Sequence, residues 1–183
     1  MSAPLDQDAP LDQDALEFAG RVFNAARTGD AEQLAAWLQQ GLPANLRNEN
    51  GDSLVMLASY HGHVDATRVL LEHGGDPDIY NKRGQTPLAG AIFKGDLDIV
   101  RLLLDRGAKV DGAGPDGRTA LMMAAMFDRA EMVELLLQRG ADAAARDATG
   151  LTVQAIAGAM GAQRTPQLIA DALASRGGQS KPA

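Results

Sequence analysis

Residues 84–111 read "GQTPLAGAIFKGDLDIVRLLLDRGAKVD". A turn glycine and Thr-Pro open a short apolar run, Gly95 breaks it, Ile99, Leu102 and Leu103 mark one face of a second helix, and Gly107 ends that helix. Helices this short are marginal alone in water, so the segment needs neighbours of its own kind. The chain supplies them. Gly51, Gly84, Gly117 and Gly150 stand 33 residues apart, and each opens a related run: "GDSLVMLAS", "GQTPLAGAI", "GRTALMMAA", "GLTVQAIAG". A second ladder runs Gly29, Gly62, Gly95, Asp128, Gly161, and a third runs Gly41, Gly74, Gly107, Gly140. Each unit is therefore a turn, a short helix, a glycine break, a longer helix and a glycine cap. Asp128 replaces glycine at a break that calls for a left-handed backbone, so Asp128→Gly is expected to stabilise.

The segments "TPLAGA" (86–91), "GHVDATRVLLEHGGDPD" (62–78), "GDLDIVRLLLDRGAKVD" (95–111) and "VELLLQRGAD" (133–142) make the chain resemble ankyrin-repeat proteins over about residues 14–176. The resemblance implies an all-α solenoid of stacked helix-turn-helix units with hairpin-like loops. Three full units, 51–83, 84–116 and 117–149, lie between an N-terminal cap (14–50) and a C-terminal cap (150–176), about five units in all. Trp37 falls in register with Leu70 and Leu103 and is expected to pack. In the last cap the apolar residues come about three positions late, placing a helix start near Thr165 and Pro166. Residues 3–14 read "APLDQD" in tandem, and residues 1–13, like residues 177–183, are expected to be disordered.

With 183 residues and 45% hydrophobic content the chain reads as one globular domain. A net charge of −7 argues against nucleic-acid binding, which draws its affinity from Lys and Arg. No apolar run is long enough to span a membrane and the N-terminus is acidic, so no membrane association and a cytoplasmic location are expected. The absence of cysteine rules out disulfides and thiolate chemistry and fits a reducing compartment. Arg exceeds Lys thirteen to four and Ala is abundant, which points to a bacterial genome.

Two stretches imitate chemical motifs. "GAGPDG" (112–117) has the glycine spacing of a dinucleotide loop. Yet Gly117 is only the repeat's turn glycine, and "RGAKVD" before it lacks the buried strand that such a loop follows. "YHGHVD" sets His61 and His63 near Asp65, but their places in the repeat differ: His63 starts a second helix, and only His61 faces the groove. No catalytic residue, cofactor or metal ligand is expected, and the chain is read as a non-enzyme.

What the resemblance implies is protein binding through hairpin tips and the inner helices that line a concave face. Carried over unit by unit, it singles out Tyr60, His61, Tyr80, Lys82, Arg83, Phe93, Lys94, Arg118, Met126 and Phe127. Tyr60, Phe93 and Met126 recur at 33 and form an apolar ladder, extended by Phe127 and Met160. Across the whole face seven basic residues (Arg27, Arg47, Lys82, Arg83, Lys94, Arg118, Arg146) meet four acidic ones (Glu49, Asp52, Asp116, Asp147), which favours an acidic partner segment. The expectation is a monomeric scaffold binding another protein. The alternatives are an accessory or regulatory subunit of a neighbouring bacterial enzyme, or a secreted effector.

Overall fold

The computed structural model describes residues 13–177, which form ten α-helices in five antiparallel pairs. The first helices are α1 (Gln13–Thr28), α3 (Leu54–Tyr60), α5 (Pro87–Lys94), α7 (Ala120–Met126) and α9 (Val153–Ala159). The second helices are α2 (Ala31–Gln39), α4 (Val64–Glu72), α6 (Leu97–Asp105), α8 (Ala130–Gln138) and α10 (Thr165–Gly177). First helices stack in chain order as an inner layer, and α2, α4 and α6 stack outside them, with α10 on α8. Gln13 and Gly177 are helical; the remainder of the two segments expected to be disordered lies outside the described residues.

Local chemistry repeats with the same period. Ser53, Thr86, Thr119 and Thr152 each cap the following first helix, their hydroxyls accepting from the backbone N–H of Met56, Ala89, Met122 and Ala155. Leu70, Leu103 and Leu136 are fully buried, and Trp37 packs against the same core, edge-on to Phe18 with ring centroids 5.3 Å apart. Each such leucine contributes about 1.5–3 kcal/mol only when a neighbouring unit covers it. In α9, the last of the first helices among the described residues, Gln154 stands exposed in the column of Val55, Leu88 and Leu121.

One core position breaks the pattern. Thr67 occupies the column of Val100 and Val133; all three are wholly buried, and the Thr67 hydroxyl has no hydrogen-bond partner. An orphaned buried hydroxyl costs stability that the isosteric methyl does not. Thr67→Val is expected to raise stability by about 1 kcal/mol, read by denaturant titration; an unchanged or lower midpoint would mean that the hydroxyl is satisfied in solution.

The second helices α2, α4, α6 and α8 start 33 residues apart, but α10 starts 35 residues after α8, at Thr165, where the sequence places it. The left-handed break before α8 is Asp128, with φ 54°, as its register requires. The positive φ on which the expected gain from Asp128→Gly depends is present, but the side chain makes contacts that oppose the gain. Its Oδ1 accepts from the Arg164 N–H (2.9 Å), the Thr165 N–H (3.0 Å) and the Thr165 hydroxyl (3.2 Å), so Asp128 caps α10 from the neighbouring unit. At Gly29, Gly62 and Gly95 an added Cβ would meet His63, Asp96 or Arg129 of the next unit. The late start of α10 leaves Asp128 the room that those positions lack.

Candidate protein-interaction groove

The fingers are turns closed by a repeated side-chain staple. Asn48 Oδ1 accepts from the N–H of Asn50 and Asp52, Asn81 Oδ1 from Arg83 and Gln85, and Asp147 Oδ1 from Thr149 and Leu151. Neighbouring fingers join where Lys82 N–H donates to the Asn50 carbonyl and Ala148 N–H to the Asp116 carbonyl. The third finger departs from both rules. Gly114 takes the stapling position, and Pro115, which has no N–H, takes the joining one. It is instead packed backbone to backbone: a Cβ on Gly114 would land on the Gly84 carbonyl. Here is the physical reason for "GAGPDG". Gly112 and Gly117 spend their N–H groups on Lys109 and Gly114 carbonyls, so the loop is a close-packed finger rather than a phosphate cradle.

Behind the fingers, the ends of α3, α5 and α7 bring the aromatic residues together. Tyr60 and Phe93 lie parallel at 6.4 Å, and Phe93 meets Phe127 edge-on at 5.4 Å. Lys94 Nζ sits 5.2 Å from the centre of the Tyr60 ring, and His61 packs edge-on to Tyr60 at 5.6 Å. Phe93 remains 45% exposed at the middle of this strip. Gly90 makes the strip possible one turn back, because a Cβ there would press on the Tyr60 ring at 3.3 Å.

A cleft of about 400 Å³ opens between the first two fingers and α1, α3 and α5, and its lining includes Arg27, Tyr60, His61, Arg83 and Phe93. Of the ten residues singled out in the sequence, the cleft collects Tyr60, His61, Arg83 and Phe93, with Lys94 and Phe127 in contact with its aromatic strip. Tyr80, Lys82 and Arg118 are exposed on the fingers outside it. Met126 is half-buried and packs on the core. Period alone made Met126 look like a ladder member; the ring that continues the strip is Phe127, one residue on.

Charge on the face is simpler than a count of residues suggests. Asp52 and Asp147 are buried, and Arg47 and Arg146 hold the carbonyls of Gly51 and Gly150. Asp52 is spent on both oxygens, accepting from Asn81 (2.7 Å) and Asn48 (3.3 Å), while the Thr149 hydroxyl and backbone N–H groups hold the Asp147 carboxyl below its usual range. Asn81, in the second finger, is 1% exposed and serves as the brace beneath the groove. The exposed cations Arg27, Lys82, Arg83 and Lys94 have no carboxylate within 4 Å among the described residues. Partial burial, followed by the charges of His63, Arg27 and Lys94, pulls the His61 pKa below the usual imidazole value.

No group of three or more His, Asp or Glu side chains among the described residues could hold a metal ion, and no described helix is long and apolar enough to cross a membrane. His63 is tied to the neighbouring unit through its ring nitrogen and the Arg27 carbonyl (2.9 Å).

Comparison with known proteins agrees with this architecture. The family model for ankyrin repeats (three copies) matches residues 22–114 and 75–147. An ankyrin repeat protein of Pseudomonas aeruginosa is 58% identical over 53 residues, a match covering 29% of this chain and 31% of that relative. The similarity thus spans under a third of the relative's length. With the family model covering well over half of its length, the chain belongs to the ankyrin-repeat family.

Proposed function

We propose that this chain is a non-enzymatic interaction module that grips a segment of another protein in the groove formed by its first fingers and the ends of α3, α5 and α7. Ankyrin repeats generally mediate protein–protein interaction; the finer assignment rests on the Tyr60–Phe93–Phe127 strip, an accessible aromatic surface flanked by cations with no carboxylate within 4 Å among the described residues. Interfaces draw most of their energy from such central aromatic and basic anchors. The surplus of free cations favours a partner segment that presents carboxylates beside an apolar side chain. The cleft's own carboxylate, Asp52, is buried and accepts from Asn48 and Asn81, which supports a bracing role rather than a catalytic one.

The test is capture from native lysate by the unmodified chain and by the Phe93→Ala/Lys94→Ala variant. Both side chains are exposed, so the thermal midpoint should stay within about 2 °C. Loss of two central contacts should weaken capture by roughly a hundredfold or more. Undiminished capture by a variant with an unchanged midpoint would take the groove out of consideration.

A further inference from the structure

Resting on the groove as the binding face, we propose that residues 1–12 of the chain itself are its tethered ligand, competing with the partner for the Phe93 strip and its surrounding cations. The segment reads "MSAPLDQDAPLD" and carries Asp6, Asp8 and Asp12 with no Lys or Arg. Its two "PLD" copies set Leu5 beside Asp6 and Leu11 beside Asp12. An apolar side chain next to carboxylates is the chemistry that suits the groove: Phe93 is half exposed, and around it Arg27, Arg83 and Lys94 have no carboxylate within 4 Å among the described residues.

Position makes the match available. The first helices of the later units begin at Leu54, Pro87, Ala120 and Val153, and the same register would start α1 at Arg21. Instead α1 begins eight residues earlier, at Gln13, with helix where the other units have a finger. First helices run from the finger side to the glycine break, so residues 1–12 join the solenoid on the finger side, at the end of the groove that has no finger in front of it. Arg27 lies in the last turn of α1 and lines the cleft. At 1.5 Å per residue it is about 21 Å from the start of that helix, whereas twelve extended residues reach about 40 Å. A ligand tethered so closely has an effective concentration on the order of millimolar, so weak contacts are enough to populate the bound form.

The experiment compares the full chain with its Asp6→Asn/Asp8→Asn/Asp12→Asn variant by NMR at low ionic strength, and titrates a synthetic peptide of residues 1–12 into each. The expected result is a set of shift differences centred on Arg27, His61, Arg83, Phe93 and Lys94. They should fade by about 0.5 M salt, where the screening length falls to a few ångströms. The peptide should bind the neutralised variant at least about twofold more tightly than the unmodified chain, because the groove is no longer occupied. Identical groove resonances in the two proteins, or equal peptide affinities, would overturn the proposal. Either result would leave the groove's role in partner capture to be judged separately by the Phe93→Ala/Lys94→Ala variant.

Discussion

Gly114→Ala is expected to destabilise the chain by about 2–3 kcal/mol, lowering the calorimetric midpoint by roughly 5–10 °C. The added methyl has nowhere to go. It would meet the carbonyl of Gly84, which is backbone of the adjacent finger and is itself hemmed in by Pro115. Relief therefore requires the second and third fingers to part, loosening the stack between their units. Gly20→Ala is the informative control, since Gly20 lies within α1 with nothing inside 4 Å of an added Cβ. There alanine should stabilise by about 0.5–1 kcal/mol through helix propensity. The same chemical change thus takes opposite signs at two glycines. If both substitutions stabilise, the finger contact is slack and "GAGPDG" lacks the packing role assigned to it.

The repeat was legible because its signals are local and periodic. A turn glycine, a hydroxyl cap, an apolar face and a closing glycine each act within a few residues, and their recurrence at 33 left the stacking direction as the only way to bury Leu70, Leu103 and Leu136. The groove was legible in outline for the same reason, since register alone places Tyr60 and Phe93 at the ends of successive first helices. What the sequence concealed were contacts between units. Asn81 looks like any exposed turn asparagine, yet it is buried under the groove because Asp52, 29 residues earlier, reaches it. Arg47 and Arg146 keep their charge, but the Gly51 and Gly150 carbonyls that fix their guanidinium groups cannot be read from the sequence. Met126 and Phe127 differ by one position, and only the pitch of α7 decides which joins the aromatic strip.

Asp128 is where local reading and long-range contact give opposite signs, and it supplies the sharpest test of the C-terminal cap. On backbone grounds alone glycine is the better residue at φ 54°. The structure predicts that Asp128→Gly nonetheless lowers the thermal midpoint, because it strips the cap from the Arg164 and Thr165 N–H groups. Asp128→Ala should be worse, losing the cap while keeping a side chain that disfavours the left-handed region. Asp128→Asn should come closest to the unmodified chain, since it tolerates that backbone and retains an acceptor. Hydrogen exchange in α10 should accelerate in the order Asn, Gly, Ala, with α3 to α6 unaffected. The Thr165 N–H, ahead of the other donors, holds the Asp128 carboxyl below its ordinary value. A carboxylate depressed in the folded state contributes stability that is fully present above its unfolded pKa of about 4 and is lost as pH falls through the folded value. The advantage of the unmodified chain over Asp128→Asn should therefore be constant from pH 7 down to about 5 and shrink below pH 4. A pH-independent gap, or an Asp128→Gly chain more stable than its parent, would show that α10 starts without help from Asp128.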